Sequence, residues 1–140
     1  MYKREEYVCV FLGGGSLYGV VEILWRGYTH WSMIAVGGIA LSFIHFINIR
    51  FHKKNIIVRG AIGSAFITLI ELAAGIILNI ILRLHVWDYS NMFGNVLGQI
   101  CPLFSLFWFL LSLFAIVISD EVRKMFLFLE KREAKEAESV

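Results

Sequence analysis

The sequence is poor in the charged residues that keep a soluble domain in water. Only 17% of its 140 residues are charged and 59% are hydrophobic, whereas soluble domains average about 25% charged and roughly 45–50% apolar residues. A water-soluble fold of this length could not bury so much apolar surface. The composition therefore excludes a soluble globular protein and indicates that lipid surrounds most of the chain.

Cysteine is also scarce, and the motifs of several enzyme classes are missing. Cys9 and Cys101 fall at opposite faces of the membrane in the topology derived below, which excludes a disulfide within the chain and leaves two free thiols. The chain has no metal-ligand spacing, no nucleophile arrangement and no phosphate-binding loop. The net charge of +2 gives no reason to expect nucleic acid. We therefore expect no metal, no cofactor and no nucleic-acid partner.

Four long apolar stretches predict four membrane spans. A bilayer core of about 30 Å is crossed by about 20 helical residues, and four stretches reach that length. They cover about 7–25, 32–49, 61–82 and 102–119. The first is not a cleaved signal peptide, because it contains Glu22 and no cleavage site follows it. The sequence predicts an all-α integral membrane four-helix bundle that forms a single transmembrane domain over residues 1–140.

The positions of the basic residues predict the orientation of the bundle. Eleven of the 13 Lys and Arg residues precede the first span, lie in the second loop or follow the last span, which leaves only Arg26 and Arg83 on the other side. By the positive-inside rule, both termini lie in the cytoplasm (N-in/C-in). Apolar residues recur at helical spacing early in the tail, 120–140. The tail is therefore predicted to form a cytoplasmic helix whose first turns lie on the membrane surface.

Each span carries small and polar residues at helical spacing. Helices in lipid associate through small residues and through polar groups that bond across the interface. We therefore expect these stripes to face the centre of the bundle, and the Gly and Ser residues could be packing seams alone. The stripes comprise Gly15, Gly19, Glu22, Arg26; Gly38, Ser42, His45, Asn48; Ser64, Thr68, Glu71, Gly75, Asn79; and Ser105, Trp108, Ser112, Ser119.

Two glutamates within the spans are candidate substrate- or ion-binding residues. An ionised acid at the bilayer centre costs about 2.5–3.5 kcal/mol, so Glu71, near the middle of its span, must be protonated, paired or wetted. His45 lies at a similar depth and is its predicted partner. Glu22 lies about one turn from the outer surface, near Arg26 and His30, which complete this predicted site. The alternatives are a structural hydrogen bond at Glu71 and an ion pair between Glu22 and Arg26.

The segment 83–101 between the last two spans is the longest stretch predicted to lie outside the membrane on the outer side. Its aromatic residues suit the membrane interface, and its Asp, Ser and Asn residues favour turns. It forms either a short interfacial helix or a cap over the outer mouth of the bundle. A cap would place Asp88, Asn95 and Gln99 near Glu22, so Asp88 is a further candidate for substrate or ion binding. The outer-face motif comprises Trp87, Asp88, Tyr89, Ser90, Asn91, Asn95 and Gln99.

Several of these residues also carry a resemblance to a known family. The ordered motifs are 19–33 (GVVEILWRGYTHWSM), Glu71 with Gly75, 87–91 (WDYSN), 98–101 (GQIC) and Trp108. Over about residues 11–120 the chain resembles the putative ABC-transporter type IV family of CmpB-like permeases. The resemblance implies a small multi-pass protein of the bacterial plasma (inner) membrane. Because the chain has no phosphate-binding loop, ATP coupling would need a separate ATPase. The basic loop 50–59 could dock it, although orientation and anionic lipid explain that loop equally well.

Three functions remain open on the sequence. The first is a permease or transport component that binds a small solute, cation or proton at Glu22 and Glu71; because four spans make a thin bundle, it would act as a homo-oligomer. The second is a non-transporting scaffold or regulatory subunit of a partner complex, in which the glutamates only join helices. The third, an intramembrane enzyme acting on lipid, is disfavoured by the missing catalytic motifs. We expect a protein that is not an enzyme.

Overall fold

Four long helices make up most of the protein. The computed structural model describes residues 3–138, the last of these by its backbone alone, so the final residues of the predicted tail, 139–140, lie outside the described chain. All four helices are long and apolar enough to cross a membrane, as the sequence predicted. They are α1 (Lys3–Arg26), α2 (Trp31–Arg50), α3 (Ile56–Gly75), which continues as a π-helical turn (Ile76–Ile81), and α4 (Pro102–Glu138).

Local capping explains where the helices begin and end. Gly27, with φ of +80°, ends α1 in the left-handed conformation that glycine adopts without strain. The ring nitrogen Nδ1 of His30 accepts a hydrogen bond from the Ser32 amide at 3.3 Å and caps α2. Asn55 caps α3 by accepting from the Ile57 amide at 2.9 Å. The short loops between these caps make consecutive helices antiparallel neighbours.

The helices extend beyond the predicted spans at several ends. The third span begins at Ile56 and not near residue 61, because Asn55 starts the helix before the purely apolar stretch. The position of the tail on the membrane surface stays a prediction, but the tail is helical as predicted, since α4 continues without a break from Pro102 to Glu138. At 1.5 Å per residue these 37 residues span about 55 Å, well beyond a bilayer core of about 30 Å.

Glycines bring α1 and α2 into close contact. A Cβ atom added at Gly14 would lie 2.5 Å from Leu41 Cβ and 2.7 Å from the Gly37 carbonyl oxygen, and one added at Gly15 would lie 2.7 Å from the Ile34 oxygen. A Cβ at Gly19 would come no closer than 3.4 Å to Ile34, which is ordinary packing. The pairs α1–α2 and α3–α4 pack most extensively, whereas α1 and α4 share few contacts. The bundle is therefore least closed between α1 and α4.

The polar stripes face the interior, as predicted, and the lipid-facing surfaces are apolar. Leu24 and Phe114, for example, are 81% and 69% exposed on the outside of the bundle. The buried polar side chains from the predicted stripes are Glu22, His45, Asn48, Ser64, Glu71, Asn79, Ser112 and Ser119. We call the end where α1 begins the terminal end of the bundle, and the opposite end the connecting end, after the connecting segment 82–101 that lies there.

Candidate functional site

The connecting segment folds back into the bundle as an irregular cap. The alternative of a short interfacial helix is wrong, since residues 82–101, all of which are described, form bends, turns, backbone without regular secondary structure and one bridge between Val96 and Ile100. The backbone is left-handed at Arg83, His85 and Leu97, a conformation uncommon for residues other than glycine. Histidine adopts this conformation more readily than most residues, but the residue types Arg83 and Leu97 do not indicate it, so the path of the cap could not be predicted.

Asn79 anchors this cap to α3. Its amide nitrogen donates to the Trp87 carbonyl oxygen at 3.0 Å and to Gln99 Oε1 at 2.7 Å, and its Oδ1 accepts from the Val86 amide at 2.7 Å. Trp87 is buried and donates from its indole nitrogen to the Gln99 carbonyl oxygen at 3.0 Å. Asn79 lies in the π-helical turn, a distortion that frequently occurs at functional sites. The sequence placed it in a polar stripe but assigned it no role.

The carboxylate of Glu71 is buried at the centre of the bundle. The Tyr89 hydroxyl donates to Oε1 at 3.0 Å, and the Trp108 indole nitrogen donates to Oε2 at 2.7 Å. The residue is 3% exposed. The prediction that His45 is its partner is wrong, since the His45 ring nitrogens lie 3.1 Å from Glu6 Oε1 and 2.8 Å from Ser119 Oγ. His45 lies five residues before the end of α2 at Arg50, whereas Glu71 lies 15 residues after the start of α3 at Ile56, so the two residues lie at different levels of the bundle.

The negative charge of the Glu22 carboxylate is compensated by neighbouring groups. Arg26 Nη2 pairs with Glu22 Oε1 at 2.7 Å, and the Thr29 hydroxyl donates to Oε2 at 2.6 Å. The other arm of the Arg26 guanidinium donates to the Val86 carbonyl oxygen at 2.7 Å. The structure therefore contains the ion pair between Glu22 and Arg26. Because Arg26 also donates to Val86, it links α1 to the cap.

Asp88, Asn95 and Gln99 do not bind Glu22, contrary to the predicted arrangement of the cap. The exposed Asp88 carboxylate accepts hydrogen bonds from the Ser90 hydroxyl and amide, and these bonds hold its pKa below the usual value. Asn95 donates to the Ser90 carbonyl oxygen at 3.0 Å, and Gln99 binds α3 as described above. The hydrogen bonds of these residues stabilise the connecting segment, as His30 stabilises the start of α2. Asn91, the remaining polar residue of the outer-face motif, is exposed.

A cleft between α1 and α4 connects Glu71 with the outside of the bundle. It contains a cavity of about 500 Å³ at the connecting end and one of about 220 Å³ nearer the terminal end. Glu22, Arg26 and Tyr89 line the larger cavity, and Glu71 lines the smaller one. The side chains that line both are Tyr18, Val21, Met33, Trp108 and Leu111. We call this space the α1–α4 cleft.

The terminal end is closed by a network of charged and polar side chains from all four helices. Arg123 Nη1 contacts Glu6 Oε2 at 2.6 Å, and Glu6 Oε1 also faces His45. Asn48 donates to Ser119 Oγ at 3.0 Å. We call this group the terminal network, and it comprises Glu6, His45, Asn48, Arg59, Ser119, Asp120 and Arg123.

Sequence reasoning missed most of the terminal network. Glu6 and Arg123 flank the predicted spans, and the sequence pattern assigns neither of them a partner. The pairing of residues 117 positions apart leaves no local signal. Asn48 and Ser119 do have a local sequence signal, since both belong to the predicted stripes. Among the described residues, no group of three or more His, Cys, Asp or Glu side chains is placed to hold a metal ion.

These features define a small multi-pass helical membrane protein with a buried acid beside a lateral cleft. The family described as Putative ABC-transporter type IV matches residues 10–137, and the chain belongs to that family, as the motifs indicated. Neither the curated proteins nor the solved structures contain a significant match to the chain. Together, the family and the four apolar helices suggest a small membrane protein related to transport.

Proposed function

We propose that this protein is a transport component that binds a cation or a proton at Glu71. The proposal rests on the burial and the hydrogen-bond partners of the Glu71 carboxylate. It is buried beside the α1–α4 cleft, and among the described residues its hydrogen bonds come only from the neutral donors of Tyr89 and Trp108. None of the ion pairs among the described residues includes it.

An uncompensated carboxylate in apolar surroundings needs a positive partner. Its charge is costly there, and two neutral hydrogen bonds offset only part of the cost. Glu71 therefore holds a proton, or it releases that proton when a cation arrives. Glu22 already has Arg26 as its counter-ion, so we assign it a positioning role: it holds Arg26 against the Val86 carbonyl oxygen and thereby fixes the cap.

Passage across the membrane would require the terminal network to open. Ile44 and Ile118 line the smaller cavity, and the next residue of each helix, His45 and Ser119, belongs to the network. We propose that a homo-oligomer supplies the rest of the pathway and that a separate ATPase could drive it. The placement of basic residues supports an N-in/C-in orientation in a bacterial plasma membrane. In this proposal the protein is not an enzyme.

Proton flux into liposomes tests this function. The full chain is reconstituted with a pH-sensitive dye inside, and a potassium gradient with valinomycin sets the membrane potential. We expect the wild type to carry protons inward and Glu71→Gln to fall to the rate of protein-free liposomes, because the amide cannot take up a proton. Glu121→Gln removes the same charge at an exposed position of α4 and should leave the flux unchanged. Equal flux in wild type and Glu71→Gln would remove Glu71 from the mechanism.

A scaffold or regulatory subunit is the second candidate, and the length of α4 favours it. The helix extends beyond the bundle, and its last described turns are charged and exposed. This surface could hold a soluble partner. On that view Glu71→Gln changes no flux, whereas reversing the charges of Lys131 and Arg132 abolishes co-purification of a partner with the protein.

A further inference from the structure

We propose that the α1–α4 cleft takes a hydrophobic quaternary cation, of the ammonium or phosphonium kind, which enters sideways from the bilayer and replaces the proton of Glu71. This inference rests on the proposed function of Glu71 and adds the chemical class of the solute. It is carried by the opening of the cleft, by the aromatic side chains that line it and by the bonding of the Glu71 carboxylate.

The cleft opens toward lipid between two helices that barely touch. The residues at its edge are exposed on the outside of the bundle: Val21 by 44%, Leu24 by 81% and Trp25 by 76% on α1, and Leu111 by 38% on α4. In a bilayer these side chains face acyl chains. A solute that reaches the cleft by this route must partition into hydrocarbon, which favours a cation whose charge is covered by apolar groups.

Aromatic rings line the path to Glu71. Tyr18 and Trp108 border both cavities, with ring centroids 5.7 Å apart. Tyr89 stacks on Phe104 at 4.4 Å between centroids, and both line the larger cavity. The faces of such rings attract a cation by about 2 kcal/mol or more when the site is desolvated. A ring-lined cavity of about 500 Å³ also falls within the range of small-molecule sites, roughly 300–1,000 Å³.

The hydrogen bonds at Glu71 favour a cation without N–H groups. Each carboxylate oxygen accepts one bond, from Tyr89 or from Trp108, so a cation with N–H groups would have to share an oxygen with one of these donors. A quaternary cation needs no acceptor, because the charge of Glu71 and the ring faces attract it without hydrogen bonds. Arg26, the other charge at the cleft, is neutralised by Glu22. When the cation binds, the Glu71 acid releases its proton to water, so the cleft remains electrically neutral in both states.

Equilibrium binding of tetraphenylphosphonium to the full chain in lipid nanodiscs tests this inference. Tetraphenylborate has the same shape and the opposite charge, and therefore separates charge recognition from hydrophobic partition. We expect saturable binding of the phosphonium, no saturable binding of the borate, and at least about tenfold weaker phosphonium binding in Glu71→Gln, the change that corresponds to about 1.4 kcal/mol. Glu121→Gln should bind as the wild type does.

A second pair of variants tests the lateral route without altering Glu71. Leu111→Trp fills the edge of the cleft, and Leu106→Trp makes the same change at an exposed position of α4 that lines neither cavity. We expect Leu111→Trp to abolish phosphonium binding and Leu106→Trp to preserve it. A monodisperse gel-filtration profile and a helical circular dichroism spectrum like those of the wild type show that each variant is folded.

The outcomes separate this inference from the proposed function. Equal binding of phosphonium and borate would overturn the inference, because the cleft would then recognise only apolar shape. No phosphonium binding, together with proton flux that depends on Glu71, would overturn the inference alone. Loss of dimers in Leu111→Trp, without phosphonium binding to the wild type, would show that a second copy of the chain occupies the cleft. If Glu71→Gln changes neither flux nor binding, both proposals are wrong.

Discussion

Three buried glutamates show how the same residue type is accommodated in different ways within one bundle. Glu6 contacts Arg123 and His45, Glu22 pairs with Arg26, and Glu71 has two neutral donors. An acid buried with a counter-ion has its charge compensated, whereas one without a counter-ion attracts a cation or a proton. This difference separates Glu71 from the other two.

The role of Glu6 is testable at this scale. Glu6→Gln removes the charge that pairs with Arg123, whose side chain is 31% exposed and can partly turn to solvent. We therefore expect a modest loss of stability, about 1–3 kcal/mol, seen as a lower Tm of the purified protein in detergent. Glu5→Gln is the matched control, because Glu5 is exposed. An equal Tm for both variants would show that the terminal network does not stabilise the bundle.

Sequence reasoning predicted which polar residues are buried more accurately than it predicted their partners. Helical periodicity alone places Glu22, Glu71 and His45 on inward faces, and all three are buried. The partner of Glu71 could not be found in this way. Tyr89 reaches it from an irregular segment, and a pattern within one helix carries no information about that segment's path.

At the scale of helices, the contact between α1 and α2 requires a glycine at position 14 but not at the preceding position, Gly13. A Cβ atom at Gly14 would overlap Leu41 and the Gly37 backbone, whereas one at Gly13 would meet nothing within 4 Å. The two positions are adjacent in the same helix. They therefore form a matched pair, with equal helix propensity and different packing.

We expect Gly14→Ala to destabilise the protein by about 1–3 kcal/mol, because the helices must separate to admit the methyl group. Gly13→Ala should be neutral or stabilising by up to about 1 kcal/mol, since alanine favours helix. Unfolding of both variants in mixed detergent micelles measures the difference. Equal stability, or a more stable Gly14→Ala, would show that α1 and α2 do not approach as closely as described.

The helices themselves were well predicted, whereas their limits were not. Apolar length is a strong signal because the bilayer fixes how many residues must be covered. It does not reveal that Asn55 starts α3 early or that α4 continues into the tail. These limits depend on caps and on contacts such as that of Arg123 with Glu6, which have no hydrophobic signature.

For the whole molecule, the four-helix architecture followed from composition, but the arrangement of the helices did not. The stripes show which face of each helix turns inward and say nothing about which helices pack most tightly. The structure pairs α1 with α2 and α3 with α4, and the α1–α4 cleft is the consequence. We therefore infer that the carboxyl group of Glu71, buried in the middle of the assembled bundle, can be reached from the lipid through that cleft.

Labelling with dicyclohexylcarbodiimide tests this claim most directly. The reagent dissolves in lipid and reacts with protonated carboxyl groups in apolar surroundings, and peptide mass spectrometry of the protein in nanodiscs identifies the modified residue. We predict modification at Glu71, protection by tetraphenylphosphonium, and loss of the label in Glu71→Gln and Leu111→Trp. An unmodified Glu71, or one labelled equally in the wild type and in Leu111→Trp, would contradict access through the cleft.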